Sequence, residues 1–254
     1  MYRQLSRYAE VLAALRDPAL KQEHGEGAQV REALLDALSP QKILGWQSEI
    51  EQDLRRILGA LRDGEPVDLV GQVLRPWTLN MAMRGRFPLL RIRVIRKVWF
   101  RNRQAEKSLF VGISETLPAF LANAWVALLK HPQKIAPDMI PKAVEELLRH
   151  AGLVHSLARV DAGGEKVSLK IAEANRDPEQ FAEPERFDVG RKESGHLALG
   201  AGAHTCPGAT LIRMACAVAV RVFLDQSAVL AREVEWQRGD TLASPKSLWV
   251  VLRS

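Results

Sequence analysis

Cysteine and long apolar runs are scarce in this sequence of 254 residues, and each scarcity excludes a class of protein. Its two cysteines, Cys206 and Cys216, are too few for a disulfide framework, and no C-x-x-C pair provides the spacing of a zinc site. No apolar stretch reaches the roughly 18 residues that a membrane span needs. The first residues, MYRQLSRYAEVLAAL, lack the layout of a signal peptide. We therefore expect a cytoplasmic protein without a membrane span.

The composition is that of a folded globular chain, with 47% hydrophobic and 26% charged residues. Helical periodicity dominates and is carried by these segments: 7–16, 29–38, 47–63, 108–130, 139–150 and 207–223. Sequence patterns typical of β-strands occur at 166–173 and 247–253. Residues 174–196 are typical of a long irregular coil. We expect a single domain over residues 1–254, mainly α with small β elements.

Positive charge is concentrated in one segment. The chain has 36 Lys and Arg against 30 Asp and Glu, a net charge of +6. Residues 84–107 hold nine of the basic residues and one acidic residue, a local charge of +8 that leaves −2 for the rest. Such a segment is either a solvated basic face or a docking surface for an acidic protein, a membrane surface or a nucleic acid. No nucleic-acid-binding motif accompanies it, so we expect no nucleic-acid partner.

The stretch LALGAGAHTCPGATLIR, residues 197–213, sets one cysteine between glycines and a following apolar helix. Three glycines remove side chains where the backbone must turn sharply or pass close to a flat ligand: Gly200, Gly202 and Gly208. Pro207 suits the first turn of a helix, so Cys206 lies at about the helix start, where the dipole favours a thiolate. His204 is close enough in sequence to partner a nucleophile. From these residues alone, Cys206 is a metal or heme ligand, a buried structural cysteine or a nucleophile.

The same stretch resembles the heme-binding loop of the cytochrome P450 family, in which Phe-Gly-x-Gly-x-His-x-Cys-x-Gly is typical. Leu199 replaces the usual Phe. Glu146 and Arg149 of EELLR, three residues apart on one helical face, match the family's E-x-x-R pair. Arg186 of PERF matches the third member of the family's salt-bridged triad. The order of the three motifs makes the chain similar to a naturally shortened bacterial-type member with a truncated cytochrome P450-like fold.

This resemblance implies heme b as the cofactor, held by Cys206 as axial iron ligand and, around the heme, by Arg159, His204, Arg31, Gly200 and Gly208. Arg159 falls ten residues after Arg149, where the family has an arginine on a heme propionate. The histidine that usually starts another propionate-contacting helix aligns with Gly27. Arg31 is therefore the candidate contact from that helix.

Residues 112–132, GISETLPAFLANAWVALLKHP, resemble the family's long helix across the distal face of the heme. Glu115 and Thr116 align with the acid and hydroxyl pair that is taken to bring protons to oxygen or peroxide in a dry site. From the residues alone, Thr116 and Pro118 can also have structural roles. Thr116 can bond back to its own helix, and Pro118 can kink that helix.

The resemblance runs nearly end to end but is discontinuous. Four regions are shorter than in the family: the N-terminal segment, residues 23–29, the stretch between Met83 and Ser108, and the hairpin between Arg159 and Lys166. Three of them form the roof and walls of the family's substrate pocket, so we expect a reduced distal half. The heme is then open to solvent, or covered by a second copy, a partner protein or the basic segment. Exposed heme favours peroxide chemistry, because water exclusion protects reactive intermediates.

Three functions follow from the resemblance. The first is a heme-thiolate monooxygenase or peroxygenase acting on a small organic substrate, supplied by an acidic ferredoxin-type donor or by peroxide. The second is a redox-neutral heme-thiolate dehydratase or isomerase. The third is a non-catalytic heme-binding partner subunit. Retention of Glu115 and Thr116 favours the first, and the shortened pocket segments favour the third.

Overall fold

The computed structural model describes residues 3–22, 27–83 and 103–253. Its helices are α1 (Tyr8–Arg16), α2 (Ala28–Ala37), α3 (Pro40–Leu44), α4 (Gln47–Gly59), α5 (Arg75–Met83), α6 (Arg103–Val111), α7 (Leu117–Lys130), α8 (Ile140–His150), α9 (Ile171–Ala174) and α10 (Ala209–Leu224). Its strands are β1 (Arg3–Leu5), β2 (Lys21–Gln22), β3 (Pro66–Asp68), β4 (Leu157–Val160), β5 (Lys166–Leu169), β6 (Ser227–Leu230), β7 (Trp236–Arg238), β8 (Ala243–Pro245) and β9 (Trp249–Arg253). The expectation of a mainly α fold with small β elements is confirmed. The basic segment 84–107 lies outside the described residues apart from its last five, which begin α6.

Three small sheets join distant parts of the chain. The first has the order β1-β5-β4-β2, with β1 parallel to β5 and the other pairs antiparallel. The second has the antiparallel order β3-β9-β6, and the third is the pair β7-β8. In the first sheet Arg159 pairs with Gln22 on one side and with Val167 on the other. Two neighbouring strands therefore fix the backbone from which Arg159 projects.

Helices α7 and α10 form the centre of the core. Nearly every residue of α7 from Leu117 to Leu128 is buried, as expected for a helix that is apolar on all sides. Trp125 of α7 stacks on Phe223 of α10 at 4.9 Å between ring centroids, and its Nε1 donates to the carbonyl oxygen of Ala219 at 3.3 Å. A buried, hydrogen-bonded tryptophan of this kind stabilises a fold by about 3–5 kcal/mol relative to alanine.

By length and composition, the helical segment Gln104–Lys130 could cross a membrane. This corrects the expectation that no stretch is long and apolar enough. However, 67% of the residues in its most apolar window are buried inside the protein, which is the behaviour of a core helix. Packing against other helices therefore accounts for the apolar character of this segment.

Two π-helical turns interrupt the helices, at Val70–Leu74 and at Gly112–Thr116. In the second, the N–H of Leu117 bonds to the carbonyl oxygen of Gly112, five residues back. A proline stands two residues after each turn, and proline has no N–H with which to continue the α-helical ladder. Pro118 thus widens one turn, and the helix continues to Lys130 without a break.

The predicted helices are all present, with ends that differ by a few residues. The prediction of a strand over 166–173 is half right, because β5 ends at Leu169 and α9 follows it. The N–H of Ala174 bonds to the carbonyl oxygen of Lys170, so this alanine-rich and glutamate-containing end is helical. The strand predicted at 247–253 is present as β9.

Candidate functional site

The glycine-rich stretch folds into a tight loop that presents Cys206 before α10. The N–H of Cys206 donates to the carbonyl oxygen of Leu199 at 2.8 Å, which closes the loop. Gly200 and Gly202 have φ angles of +72° and +68°, a region that favours glycine. At Gly202 an added Cβ would lie 3.0 Å from the carbonyl oxygen of Leu15 in α1. The loop is therefore fixed by its own hydrogen bond and by close approach to α1.

Helix α10 begins at Ala209, which places Cys206 three residues before the first helical residue. Gly208 caps the helix with its carbonyl oxygen, which accepts from the N–H of Ile212 at 2.9 Å. An added Cβ at Gly208 would make ordinary contacts, the nearest at 3.7 Å from Cys206 Sγ. The second cysteine, Cys216, is fully buried inside α10, and burial raises the pKa of its thiol. The two cysteines thus have different environments, and Cys206 is the one beside a cavity.

This first cavity has a volume of about 580 Å³ and separates the Cys206 loop from α6, the π-helical turn and α7. Apolar side chains such as Leu109, Ile113 and Phe120 form most of the opposite wall. Gly112 and Thr116 of the π-helical turn also line it. Within residues 3–22, 27–83 and 103–253, no Asp or Glu side chain contributes to the lining.

Glu115 and Thr116 point in different directions. Thr116 is half-buried and lines the first cavity, whereas Glu115 is exposed and lies outside the lining. The side-chain bond back to the helix, an alternative for Thr116, is made by Ser114, whose Oγ donates to the carbonyl oxygen of Phe110 at 2.8 Å. The predicted pair is therefore adjacent in sequence but divided between the cavity and the surface.

Three basic side chains approach one edge of the cavity from separate elements. Arg159 of β4 is 4% exposed, lines the cavity and donates through Nη1 to the carbonyl oxygen of Ala158 at 2.9 Å. Burial lowers its pKa. His204 lines the same edge, and burial, together with the charges of Arg159 and Arg31, lowers the pKa of its ring. Arg31 of α2 donates through Nη2 to the carbonyl oxygen of Thr205 at 2.7 Å.

This edge is suited to an anionic ligand. A buried charge without a partner is costly, and the described part of the chain provides no carboxylate to pair with Arg159. The remaining lining is apolar, and Cys206 lies among it. These residues fit a flat, largely apolar group that carries acidic substituents at one edge and accepts a sulfur ligand on one face. Of the predicted site residues, the cavity brings together Cys206, His204, Arg159, Thr116, Gly200 and Gly208.

A buried ion-pair cluster stands behind the loop, and its third member differs from the prediction. Arg149 donates through Nε and Nη2 to the two carboxylate oxygens of Glu146, each at 2.8 Å. The other guanidinium on Glu146 belongs to Arg191, whose Nε lies 3.2 Å from Oε2 and whose side chain is 6% exposed. Arg186 was predicted in this place, but its side chain is 62% exposed and pairs with Glu183 at 3.0 Å. The prediction for Arg186 is therefore wrong.

The local turn explains the exchange. The backbone carbonyl of Arg186 faces inward and accepts from both Arg149 and Arg191, at 3.1 and 3.0 Å. The side chain of Arg186 points outward to solvent. The N–H of Gly190 donates to Oδ1 of Asp188 at 2.8 Å, an Asx turn that returns the chain toward Glu146 just before Arg191. In the sequence, the Asp-Val-Gly turn pattern directly before Arg191 could have indicated that this arginine faces Glu146.

A second charged cluster supports the side of α10 that follows Cys206. Glu145 accepts from Nε and Nη2 of Arg213 at 2.7 and 3.0 Å, and its Oε2 lies 3.1 Å from Nε2 of His196. Burial alone would raise the pKa of Glu145, but the hydrogen bonds from His196 and Arg213 outweigh it and lower the pKa from 4.5 to about 2. The hydrogen bond to Glu145 raises the pKa of Arg213 against the opposing effect of burial, and Cys206 in its thiolate form would raise it further. A fixed positive charge therefore lies within electrostatic reach of Cys206.

Comparison with curated proteins gives bacterial relatives. The chain is 38% identical over 143 residues to the cytochrome P450 monooxygenase PikC of Streptomyces venezuelae, a match that covers 50% of this chain and 34% of PikC. It is 37% identical over 158 residues to the cytochrome P450 CYP107DY1 of Priestia megaterium, covering 54% of this chain and 38% of the relative. The chain thus spans about a third of the length of the curated relatives it matches. No family model matches it.

Comparison with solved structures covers almost the whole chain. P450BioI, in complex with an acyl carrier protein ligated to hexadec-9Z-enoic acid, has a TM-score of 0.82 at 20% identity and covers 98% of this chain and 92% of its own. The myxobacterial cytochrome CYP267B1, in complex with myristic acid, has a TM-score of 0.83 at 20% identity and covers 99% and 90%. At this identity the likeness concerns the fold.

Proposed function

The chain belongs to the cytochrome P450 family and has its fold, and on this premise we propose that it is a heme-thiolate oxidoreductase that oxidises a small organic substrate with oxygen or peroxide. The observation that carries the proposal is the first cavity. Cys206 lines one wall, an apolar helix forms the other, and the buried Arg159 lies at the edge. A group with an iron centre, an apolar ring and two carboxylates suits all three features.

Cys206 is proposed as the axial ligand of heme b. Positive charge near a thiol favours the thiolate, which is the form that binds metal, and Arg213 supplies such a charge. Heme bound through a thiolate supplies oxidative chemistry on oxygen or peroxide, because the sulfur donates electron density to the iron. The hydrogen bond from the Cys206 N–H to the carbonyl oxygen of Leu199 holds the backbone of this residue in place. Gly200 and Gly208 leave the cavity wall free of side chains at two points.

Arg159 and His204 are proposed as the contacts of the heme propionates. Arg159 is desolvated and projects from a strand held on both sides, so it can pair with a carboxylate without a large change of backbone. His204 has a lowered pKa from burial and from the two arginines, and a nearby carboxylate would reverse that shift. Arg31 is proposed to hold the loop through Thr205 and to add positive charge at this edge.

Thr116 and Glu115 are proposed to move protons across the helix wall. Thr116 is half-buried in the lining of the cavity, where its hydroxyl can donate or accept a proton. Glu115 is exposed and can exchange protons with solvent. A relay through the helix surface then connects water to the apolar site. Because Thr116 lines the cavity and Glu115 faces solvent, the two side chains are placed for proton transfer and not for joint contact with a substrate.

The wider setting is also proposed. We take residues 1–254 as one heme-binding domain with a reduced distal half, acting in the cytoplasm. Its electron source is an acidic ferredoxin-type protein or peroxide, and a second copy or a partner protein covers the open side of the heme. A redox-neutral dehydratase or isomerase would use the same heme-binding residues. A non-catalytic heme-binding subunit would need only the Cys206 loop and the residues beside it.

The decisive experiment is the absorption spectrum of the reduced, carbon monoxide-bound protein prepared with ample heme. We expect the red-shifted Soret band of a thiolate-ligated heme in wild-type protein and its loss in Cys206→Ser. The matched control is Cys216→Ser, which removes the buried thiol of α10 and should keep the band. Wild-type protein that takes up no heme would contradict the proposal.

Turnover separates the enzymatic alternatives. Oxidation of a test substrate with hydrogen peroxide alone supports a peroxygenase, and dependence on added ferredoxin and reductase supports a monooxygenase. Heme binding with neither activity would exclude both oxidative assignments.

A further inference from the structure

A second cavity, of about 330 Å³, lies beyond the first, near the C-terminal end of α7. Its walls come from α7, from the residues after α8, and from the β7-β8 hairpin. Gly152 lies in the wall of both cavities, so they are neighbours. None of the residues proposed above to bind heme or substrate lines the second cavity. Its chemistry therefore needs a separate explanation.

Basic side chains surround this second cavity: Lys130, His131, His150, His155, Arg176 and Arg238. No acidic side chain of the described ranges lines it. Arg176 is partly neutralised by Glu185 at 3.1 Å. Burial, together with Arg176 and Arg238, lowers the pKa of His155, which is the direction expected where positive charges meet. The positive charges of Lys130 and Arg238 therefore favour an anion in this cavity.

The rest of the lining favours an apolar body with a flat ring. Val126 and Ala127 of α7 and Ala243 of β8 are buried apolar residues of the wall. Trp236 and Arg238 stand two positions apart on β7, hence on one face of the strand, and both line the cavity. Trp236 is 40% exposed, an unusual position for so large an apolar ring. A ring stacked on Trp236 would hold an attached anionic group beside Arg238.

Two buried acceptor atoms of the same lining have no donor among the residues described. Asn123 is 5% exposed, and its Nδ2 donates to the carbonyl oxygen of Ala243 at 2.9 Å, which leaves Oδ1 without a partner. Nε2 of His150 lies 3.0 Å from the carbonyl oxygen of Glu185 and must carry the proton, because a carbonyl only accepts. Nδ1 of His150 is then an unpartnered acceptor. A ligand hydroxyl at this wall would supply a missing donor.

We propose that the second cavity binds a small aromatic carboxylate that carries a hydroxyl group. The ring packs against Trp236 and the apolar wall, the carboxylate meets Lys130 and Arg238, and the hydroxyl points toward Asn123 and His150. This site is distinct from the first cavity and does not depend on the proposed function.

Isothermal titration calorimetry of the purified chain with 4-hydroxybenzoate tests the proposal. We expect saturable one-site binding, with 4-hydroxybenzyl alcohol about tenfold weaker or worse, as expected for loss of one charge-assisted contact. Benzoate, which lacks the hydroxyl, should also bind more weakly. Equal binding of the neutral alcohol would overturn the proposal that the cavity binds an anion. Displacement of 4-hydroxybenzoate by an equal concentration of inorganic phosphate would overturn the proposal that the aromatic ring contributes to binding.

Variants locate the site. Arg238→Gln changes an exposed side chain and should weaken 4-hydroxybenzoate about tenfold without loss of folding. Lys134→Gln removes an exposed charge outside the lining and should leave the affinity unchanged. Unchanged binding in Arg238→Gln would overturn the assignment. Heme loading provides the last control, since competition between heme and the probe would place the probe in the first cavity instead.

Discussion

The two walls of the first cavity are built in different ways. The loop wall is determined by its backbone, through the bond from Cys206 to Leu199, two glycines of positive φ, and the contact of Gly202 with α1. The helix wall is determined by the face that a long helix presents, and at Gly112 an added Cβ would meet nothing within 4 Å. The proposed heme ligand therefore lies in a wall whose backbone has little freedom, whereas the opposite wall can accept other side chains.

The largest effect should come from the ion-pair cluster behind the loop wall. Arg191→Ala leaves the buried Glu146 carboxylate with one guanidinium fewer and should lower the free energy of unfolding by about 3–5 kcal/mol. Arg186→Ala removes an exposed arginine and should cost less than about 1 kcal/mol. Urea unfolding of both variants measures the difference. Equal effects would mean that the loop wall has a different support.

Next in size is the hydroxyl on the helix wall, and this prediction depends on the proposed function. Thr116→Val keeps the shape of the side chain and removes the proton donor, so product formed per oxidant consumed should fall by about 10²-fold. Ser108→Ala removes another hydroxyl from the same wall and is the matched control. Heme spectra should be unchanged in both. A similar loss in the two variants would remove any special role for Thr116.

Alanine at one glycine of each wall should change stability in opposite directions. At Gly202 alanine must adopt a φ of +68° with Cβ 3.0 Å from the carbonyl oxygen of Leu15, and should cost about 2 kcal/mol. At Gly112 the space is open, and alanine should stabilise the helix by about 0.5–1 kcal/mol. Thermal unfolding of the two variants checks the sign. Stabilisation by Gly202→Ala would show that the loop is not constrained.

The smallest predicted effect concerns pH and the cluster at the start of α10. The pKa of Glu145 is about 2 in the folded chain against 4.5 when unperturbed, so its stabilising contribution is present above about pH 4.5 and is lost as the pH falls toward 2. Because the side chain is 47% exposed, we expect about 1 kcal/mol after screening. Glu145→Gln should therefore destabilise the chain at pH near 6 and approach wild type as the pH falls to about 2. A constant difference over that range would assign the effect to packing.

The sequence predicted the loop wall better than its surroundings. Gly200 and Cys206 are specified by short-range backbone geometry, which a motif can encode, and the helical spacing of Glu146 and Arg149 was enough to predict their pairing. Arg186 was misassigned because the choice between it and Arg191 depends on whether the local turn directs a side chain or a backbone carbonyl toward Glu146 and Arg149. The second cavity could not be predicted, since its lining comes from residues more than a hundred positions apart.

The π-helical turn at Gly112–Thr116 also sets the rotational phase of the whole helix wall. One row of residues lining the first cavity recurs at every fourth position, Ser108, Gly112, Thr116 and Phe120, whereas a regular α-helix repeats about every 3.6 residues. Over three such steps a regular helix would rotate its face by roughly 120° away from the loop. The wide turn absorbs this excess of about one residue. A single-residue deletion in it would therefore turn Ser108 out of the cavity without any substitution of Ser108 itself.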